Sequence, residues 1–146
     1  MQSNSNCPLC KDRPDQSQVL FSNNLYKIIV VDDPNYVGYL RIITQAHIKE
    51  LTDLSDQDNQ IIYQAVITCE KLIRKLFNPK KVNLASFGNM TPHVHWHIIP
   101  RFMEDLHFPN PIWGKITHSD YKIPDQHKKL QELLINNFNF YYDQVK

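Results

Sequence analysis

The feature that most constrains the fold is a long apolar stripe in the middle of the chain. Ile61, Ile62, Ala65, Val66, Cys69, Leu72, Ile73, Leu76 and Phe77 recur at spacings of one, three and four. Residues so spaced share one side of a helix, and a stripe that wide must be covered by another layer. Both ends are marked. Ser55 stands where its hydroxyl can cap the first turn, with Asp58 three residues on as a weaker form of the capping box. Asn78-Pro79 ends the pattern. A helix over about 55–77 is therefore expected, with Cys69 inside it as a small buried hydrophobe.

The remaining runs are short, β-branched and aromatic. Residues 19–22 and 26–32 read as a hairpin about Asn23-Asn24, and 38–44 as a third strand. Residues 82–87 and 94–99 read as two more strands, joined through 88–92. An aromatic loop broken by prolines follows over 102–114. A second helix is expected at about 125–137, carrying Leu130, Leu133, Leu134 and Phe138 on one side. One long helix between the third and fourth strands suggests an α+β domain, the helix lying across one face of an antiparallel sheet. At 146 residues the chain is read as one domain, with a core over about 7–114 and a C-terminal helical extension over about 120–146.

Composition excludes several functions. Sixteen Lys+Arg against fifteen Asp+Glu leave a net charge of +1, without the basic footprint of a sequence-independent nucleic-acid binder. The three glycines, Gly38, Gly88 and Gly114, are too far apart for a phosphate-cradling loop, which removes Walker A and dinucleotide-binding fingerprints. The longest aliphatic run, 28–31, is far short of the ~20 residues of a membrane helix. Residues 1–6 are polar and show no secretory h-region, so no membrane partner and a cytoplasmic location are expected. The odd count of three cysteines agrees with a reducing compartment.

The chemistry lies in His93-Val94-His95-Trp96-His97-Ile98-Ile99-Pro100-Arg101. Side chains alternate along a strand, so His93, His95 and His97 share one face and Val94, Trp96 and Ile98 the other. Three imidazoles in a row are costly in a core and unnecessary on a surface. Two chemistries need them: metal ligation, or nucleophilic catalysis in which one imidazole attacks and its neighbours orient it and donate protons. Attack on phosphorus suits imidazole, with neighbouring donors stabilising charge on the phosphoryl oxygens. A second motif, Cys7-Pro8-Leu9-Cys10, has the spacing of half a tetrahedral zinc site. It can also be an unmetallated pair, or a thioredoxin-like redox pair. The redox reading needs a strand before and a helix after, yet only six residues precede Cys7 and 11–15 are poor helix formers.

His-φ-His-φ-His-φ-φ, with φ apolar, resembles the signature of the histidine-triad (HIT) superfamily of nucleotide hydrolases and transferases. The resemblance covers roughly residues 7–114. It includes 38–51 (GYLRIITQAHIKEL), similar to the family's Gly-His-x-Leu-Val-Ile-Pro-Lys-x-His segment, and Gly88-Asn89, where Gly-Gln often stands. The stretch 108–114 is similar to a tail segment of a proteobacterial branch. The resemblance implies a HIT-like fold with a five-stranded, mainly antiparallel sheet. It also implies a nucleoside-phosphate substrate, a nucleotidyl-histidine intermediate and a homodimer.

His95 would be the nucleophile on the α-phosphorus, His97 would touch the phosphate or leaving group, and Asn89 would bond a phosphate oxygen or the nucleophile. Asp32 or Asp33 would bond ribose hydroxyls. In relatives that hold structural zinc, a Cys-x-x-Cys pair is joined by two histidines, and the matching positions here are Cys7, Cys10, His47 and His93. Two departures stand out: Tyr39 replaces the histidine of Gly-His, and Asn89 replaces Gln. His97 favours hydrolysis, because the uridylyltransferase branch carries Gln there.

Two other readings compete. In one, the histidine row binds a catalytic metal as in cupins, although Glu104 lies seven residues past His97 and glycine is scarce. In the other, the protein binds nucleotides without catalysis. His107, His118 and His127 are read as solvated surface residues, the doublets 80–81 and 128–129 as solvated faces, and Trp113 as packing.

Overall fold

The computed structural model describes residues 3–11 and 18–146. The expectation about 11–15 falls almost wholly outside them. The elements are β1 (Gln18–Ser22), β2 (Tyr26–Val30), β3 (Leu40–Thr44), α1 (Asp56–Phe77), β4 (Lys81–Ala85), β5 (His95–Arg101), α2 (Asp125–Asn136) and α3 (Phe138–Val145). Short 3-10 turns lie at Pro8–Cys10 and Leu51–Asp53. The five strands form one sheet in the order β1-β2-β3-β5-β4, and every pairing is antiparallel. The α+β architecture is as expected.

Alternation along the strands sorts the two faces. Ile28, Val30, Leu40, Ile42 and Ile98 pack with the stripe of α1, where Ile62, Ala65, Val66, Cys69, Leu72 and Ile73 are buried. Ile61, at the stripe's edge, is exposed. The ends of α1 form as the sequence indicates. Asp58 N–H donates to Ser55 Oγ at 3.1 Å, and Asn78 closes the helix in the left-handed region at φ 46°. Gly38 stands just ahead of β3 at φ +68°, and a Cβ there would lie 2.8 Å from the Phe77 ring. The glycine thus lets the last aromatic of α1 press onto the start of β3.

The other face of the sheet is covered only in part. Cys7 and Leu9 of the N-terminal arm pack on Ile29 and Ile43, and Val31, Tyr36, Tyr39 and Ile99 form a second small cluster. The gap between these clusters is the candidate site.

The C-terminal region differs from the single expected helix. The chain leaves helical geometry at Asn137 and resumes as α3, where Phe138 stacks on Tyr142 at 5.2 Å and Tyr142 on Phe21 of β1 at 5.9 Å. No glycine or proline marks this break. Leu134 is buried, whereas Leu133 is 44% exposed because α2 turns little of its surface inward. Among the described residues no helix is long and apolar enough to cross a membrane.

Candidate active site

The histidine strand is central, between β3 and β4. It begins at His95 and runs to Arg101, so His93 precedes it, contrary to the expectation that all three histidines share the strand. His95 and His97 point away from α1 into a cavity of about 640 Å³. Pro8 and Leu9 of the arm form one wall, residues 88–91 of the β4–β5 loop another, and Phe87 and Trp113 a third. Arg41 lies on the floor, its Cα paired with that of His97 across the β3–β5 ladder.

Hydrogen bonds decide what each ring can do. His95 Nδ1 lies 2.6 Å from the His93 carbonyl. A carbonyl only accepts, so Nδ1 carries the proton and Nε2 the lone pair. The strand backbone thus sets the tautomer of the central histidine, while Ser86 Oγ donates to its carbonyl at 2.9 Å. His97 Nδ1 lies 2.5 Å from the Tyr39 hydroxyl, and its ring packs 4.9 Å from His95 and 5.0 Å from Trp113. Burial, the Arg41 charge and His95 together depress the His97 pKa to about 3, so this ring is neutral through the physiological range.

That depression has a consequence for stability. The unfolded ring titrates near 6.5 and the folded one near 3, so the unfolded state binds more protons below about 6.5. Stability is full above the unfolded value and is lost as pH falls toward 3, by up to ~1.4 kcal/mol per pH unit from this group. The His97→Gln variant should show a smaller drop in Tm between pH 7 and 5 than the wild type. Equal drops in a melting series would show that His97 does not titrate this way.

His93 does not face the cavity. It is 0% exposed, and its Nε2–H donates to the Thr44 carbonyl at 2.8 Å. Nδ1 therefore holds the lone pair, and it lies 3.5 Å from both the Cys7 and Cys10 sulfurs. His47 Nδ1 lies 3.4 Å from Cys10 Sγ, and the four ligand atoms are all within 4.8 Å of one another. Bonds of about 2.3 Å to sulfur and 2.05 Å to nitrogen at tetrahedral angles separate S from N by about 3.6 Å. The cluster can hold a metal ion. Among the described residues it is the one grouping that can. The His93-His95-His97 row does not converge, since its first and second members are turned to different partners.

The other expected residues divide. Asn89 lines the cavity. Asp32 and Asp33 do not. Asp33 Oδ1 accepts from Asn35 N at 2.8 Å and Tyr36 N at 3.2 Å, building the turn between β2 and β3, and Asp32 is exposed. Trp113 proves to be a cavity wall, 52% exposed and 4.9 Å from Phe87. Of the three histidines read as solvated, His118 is exposed, His107 is half-buried against Tyr36 and His127 half-buried against Phe102. Sequence reasoning missed Arg41, although strand alternation through Tyr39, Arg41 and Ile43 would have placed it on the histidine face. Asp105 was missed as well. Its fully buried carboxylate takes both Nε and Nη2 of Arg101, at 2.8 and 2.9 Å, and so anchors the loop that carries Trp113.

Comparison with known proteins bears on the family and the fold. The HIT domain matches residues 13–104. Over 112 residues the chain is 26% identical to a bis(5'-nucleosyl)-tetraphosphatase [asymmetrical] of Schizosaccharomyces pombe, covering 73% of this chain; the chain spans only 62% of that relative's length. Histidine triad proteins from Bradyrhizobium japonicum and Marinobacter aquaeolei VT8 share the fold, each with a TM-score of 0.67 at 22% identity. The matches cover 88% and 89% of this chain and 90% and 91% of theirs. A member of the HIT family from Bacillus subtilis gives 0.62 at 23% identity, covering 90% and 96%. Because the domain match takes in more than half of the sequence, including the histidine strand and the sheet around it, this chain belongs to the HIT domain family.

Proposed function

We propose that the protein is a nucleotide hydrolase that cleaves nucleoside-phosphate substrates at the α-phosphorus through a nucleotidyl-histidine intermediate. The observation that carries this reading is the His95 Nδ1–H bond to the His93 carbonyl, which leaves the Nε2 lone pair as the nucleophile. Nε2 attacks, the bond from Nε2 to phosphorus forms, and the bond from phosphorus to the leaving group breaks. His97 acts as a hydrogen-bond donor: in this reading the Tyr39 O–H donates to its Nδ1, so the neutral ring keeps a proton on Nε2 and bonds the phosphoryl or leaving-group oxygen without giving that proton up. The imidazolium charge on His95 delocalises toward the carbonyl it already bonds. Water then attacks phosphorus and releases a proton to solvent, the P–N bond breaks, and its electron pair returns to Nε2, leaving His95 neutral. Asn89 supplies a further phosphate contact, and Phe87, Met90 and Trp113 give the nucleobase an apolar face. Asp32, which is exposed, and Asp33, whose Oδ1 alone is taken by the turn amides, both stay candidates for the ribose, outside the cavity lining itself.

The test is a product assay of the purified protein against dinucleoside polyphosphates and nucleoside phosphoramidates. A nucleoside monophosphate is the expected product. No turnover of any member of the panel would favour a nucleotide-binding protein without catalysis.

We assign zinc to the Cys7–Cys10–His47–His93 cluster, in a structural role. The two sulfurs would bind as thiolates and the two Nδ1 atoms through their lone pairs. The ion would pin the arm whose Pro8 and Leu9 wall the cavity. One zinc per chain is expected by elemental analysis. Its removal by chelator should lower Tm by on the order of 10 °C, the shift expected for losing a ligand held well above its Kd. Metal-replete protein without zinc would refute the assignment. We also propose a homodimer, which edge strand β4, with exposed Leu84, supports.

A further inference from the structure

We propose that Arg41 is a specificity-determining residue of this pocket, and that it grips the phosphates of an anionic leaving group. The inference rests on the hydrolase reading above and concerns what departs when His95 bonds to phosphorus. Tyr39, Arg41 and Ile43 occupy the histidine face of β3, and Ile43 is wholly buried beneath the N-terminal arm. An aliphatic residue at 41 would continue that apolar surface. The chain instead sets an arginine in the cavity, across the ladder from His97 and in the same lining as His95. Among the described residues lining the cavity, no carboxylate is present.

Two kinds of leaving group separate in such a site. When a dinucleoside polyphosphate is cleaved, the P–O bond breaks and a nucleoside polyphosphate leaves with the electron pair on oxygen. That growing negative charge is what a guanidinium stabilises, and its five donors can serve a protein partner and a phosphate together. When a phosphoramidate is cleaved, the P–N bond breaks and the amine leaves after taking a proton. Arg41 gives that neutral or cationic group nothing, and repels it where it is charged. The pocket is therefore built to prefer polyphosphates, and Arg41 is the residue that sets the preference.

The experiment measures kcat/KM for a diadenosine polyphosphate and for an adenosine 5'-phosphoramidate of a primary amine. Wild type, Arg41→Leu and Arg41→Lys are compared. The polyphosphate-to-phosphoramidate ratio should fall about 10- to 100-fold in Arg41→Leu, the range for loss of a charge-assisted contact. Arg41→Lys should recover part of it, since it keeps the charge and loses the fork. The wild-type ratio should also fall as ionic strength rises, a readout that needs no variant. Ratios that match across all three proteins and do not respond to salt would overturn the role of Arg41 while leaving the hydrolase reading standing. A parallel loss on both substrates would overturn it likewise. Wild-type protein that turns over neither probe would defeat the hydrolase reading and this inference together.

Discussion

Replacing His95 with alanine should reduce nucleotide turnover by at least about 10⁴-fold while changing nucleotide affinity by less than about tenfold. Loss of a nucleophile costs rates of that order, because no neighbour occupies its position. Affinity is spread over the cavity walls and Arg41, which the substitution leaves in place. His97→Ala should lose roughly 10²–10³-fold, the usual scale for removing one proton donor or oxyanion contact. His93→Ala should act differently: it takes a side chain from the cluster that can hold a metal ion and an Nε2–H bond from the Thr44 carbonyl, so Tm should fall together with rate. Mass spectrometry after an acid-free quench should find a nucleotide on His95 in the wild type. Unchanged hydrolysis by His95→Ala would eliminate the covalent route.

The difference between His93 and its two neighbours also shows where sequence reading stops. Period-two spacing assigns three histidines to one face, and it says nothing about which partners lie along that face. His93 stands where the chain enters β5, beside the Thr44 carbonyl at the end of β3 and under the N-terminal arm. His95 and His97 stand over the uncovered gap. The long helix was legible because its signal is local: the stripe, Ser55 at one end and Asn78 at the other. The split between α2 and α3 was not, because Asn137 carries no strong helix-breaking signal and tertiary packing of Phe138 and Tyr142 decides it. Asp33 shows the reverse problem. Its turn, with Oδ1 accepting from the amides of Asn35 and Tyr36, is a local feature that the Asp-Pro-Asn run carries, whereas a ribose role was readable from resemblance alone.

Asp105→Ala should cost about 3–5 kcal/mol and weaken substrate binding as well, although Asp105 does not line the cavity. The carboxylate is fully buried, and burial alone would raise its pKa. Arg101 and the amides of Phe102 and His107 instead hold it below the usual carboxylate range. Phe108 N–H donates at 2.8 Å and Tyr36 O–H at 3.3 Å, so one side chain collects donors along the start of the 102–118 loop. Arg101 completes the anchor from the other side, bonding Asn83 of β4 at 2.7 Å and the Asn110 carbonyl at 2.7 Å.

Alanine at 105 strands a buried guanidinium and releases the segment that holds Trp113 against His97. Chemical denaturation should report the stability loss, and KM should rise more than kcat falls, because the wall moves while His95 keeps its backbone bond. Asp105→Asn keeps an acceptor and loses the charge, so it should fall between wild type and alanine. Removing both partners, as Arg101→Met with Asp105→Leu, should cost less than Asp105→Ala, since no unpaired charge remains. A loss under about 1 kcal/mol in Asp105→Ala would mean that the pair is not what holds the loop.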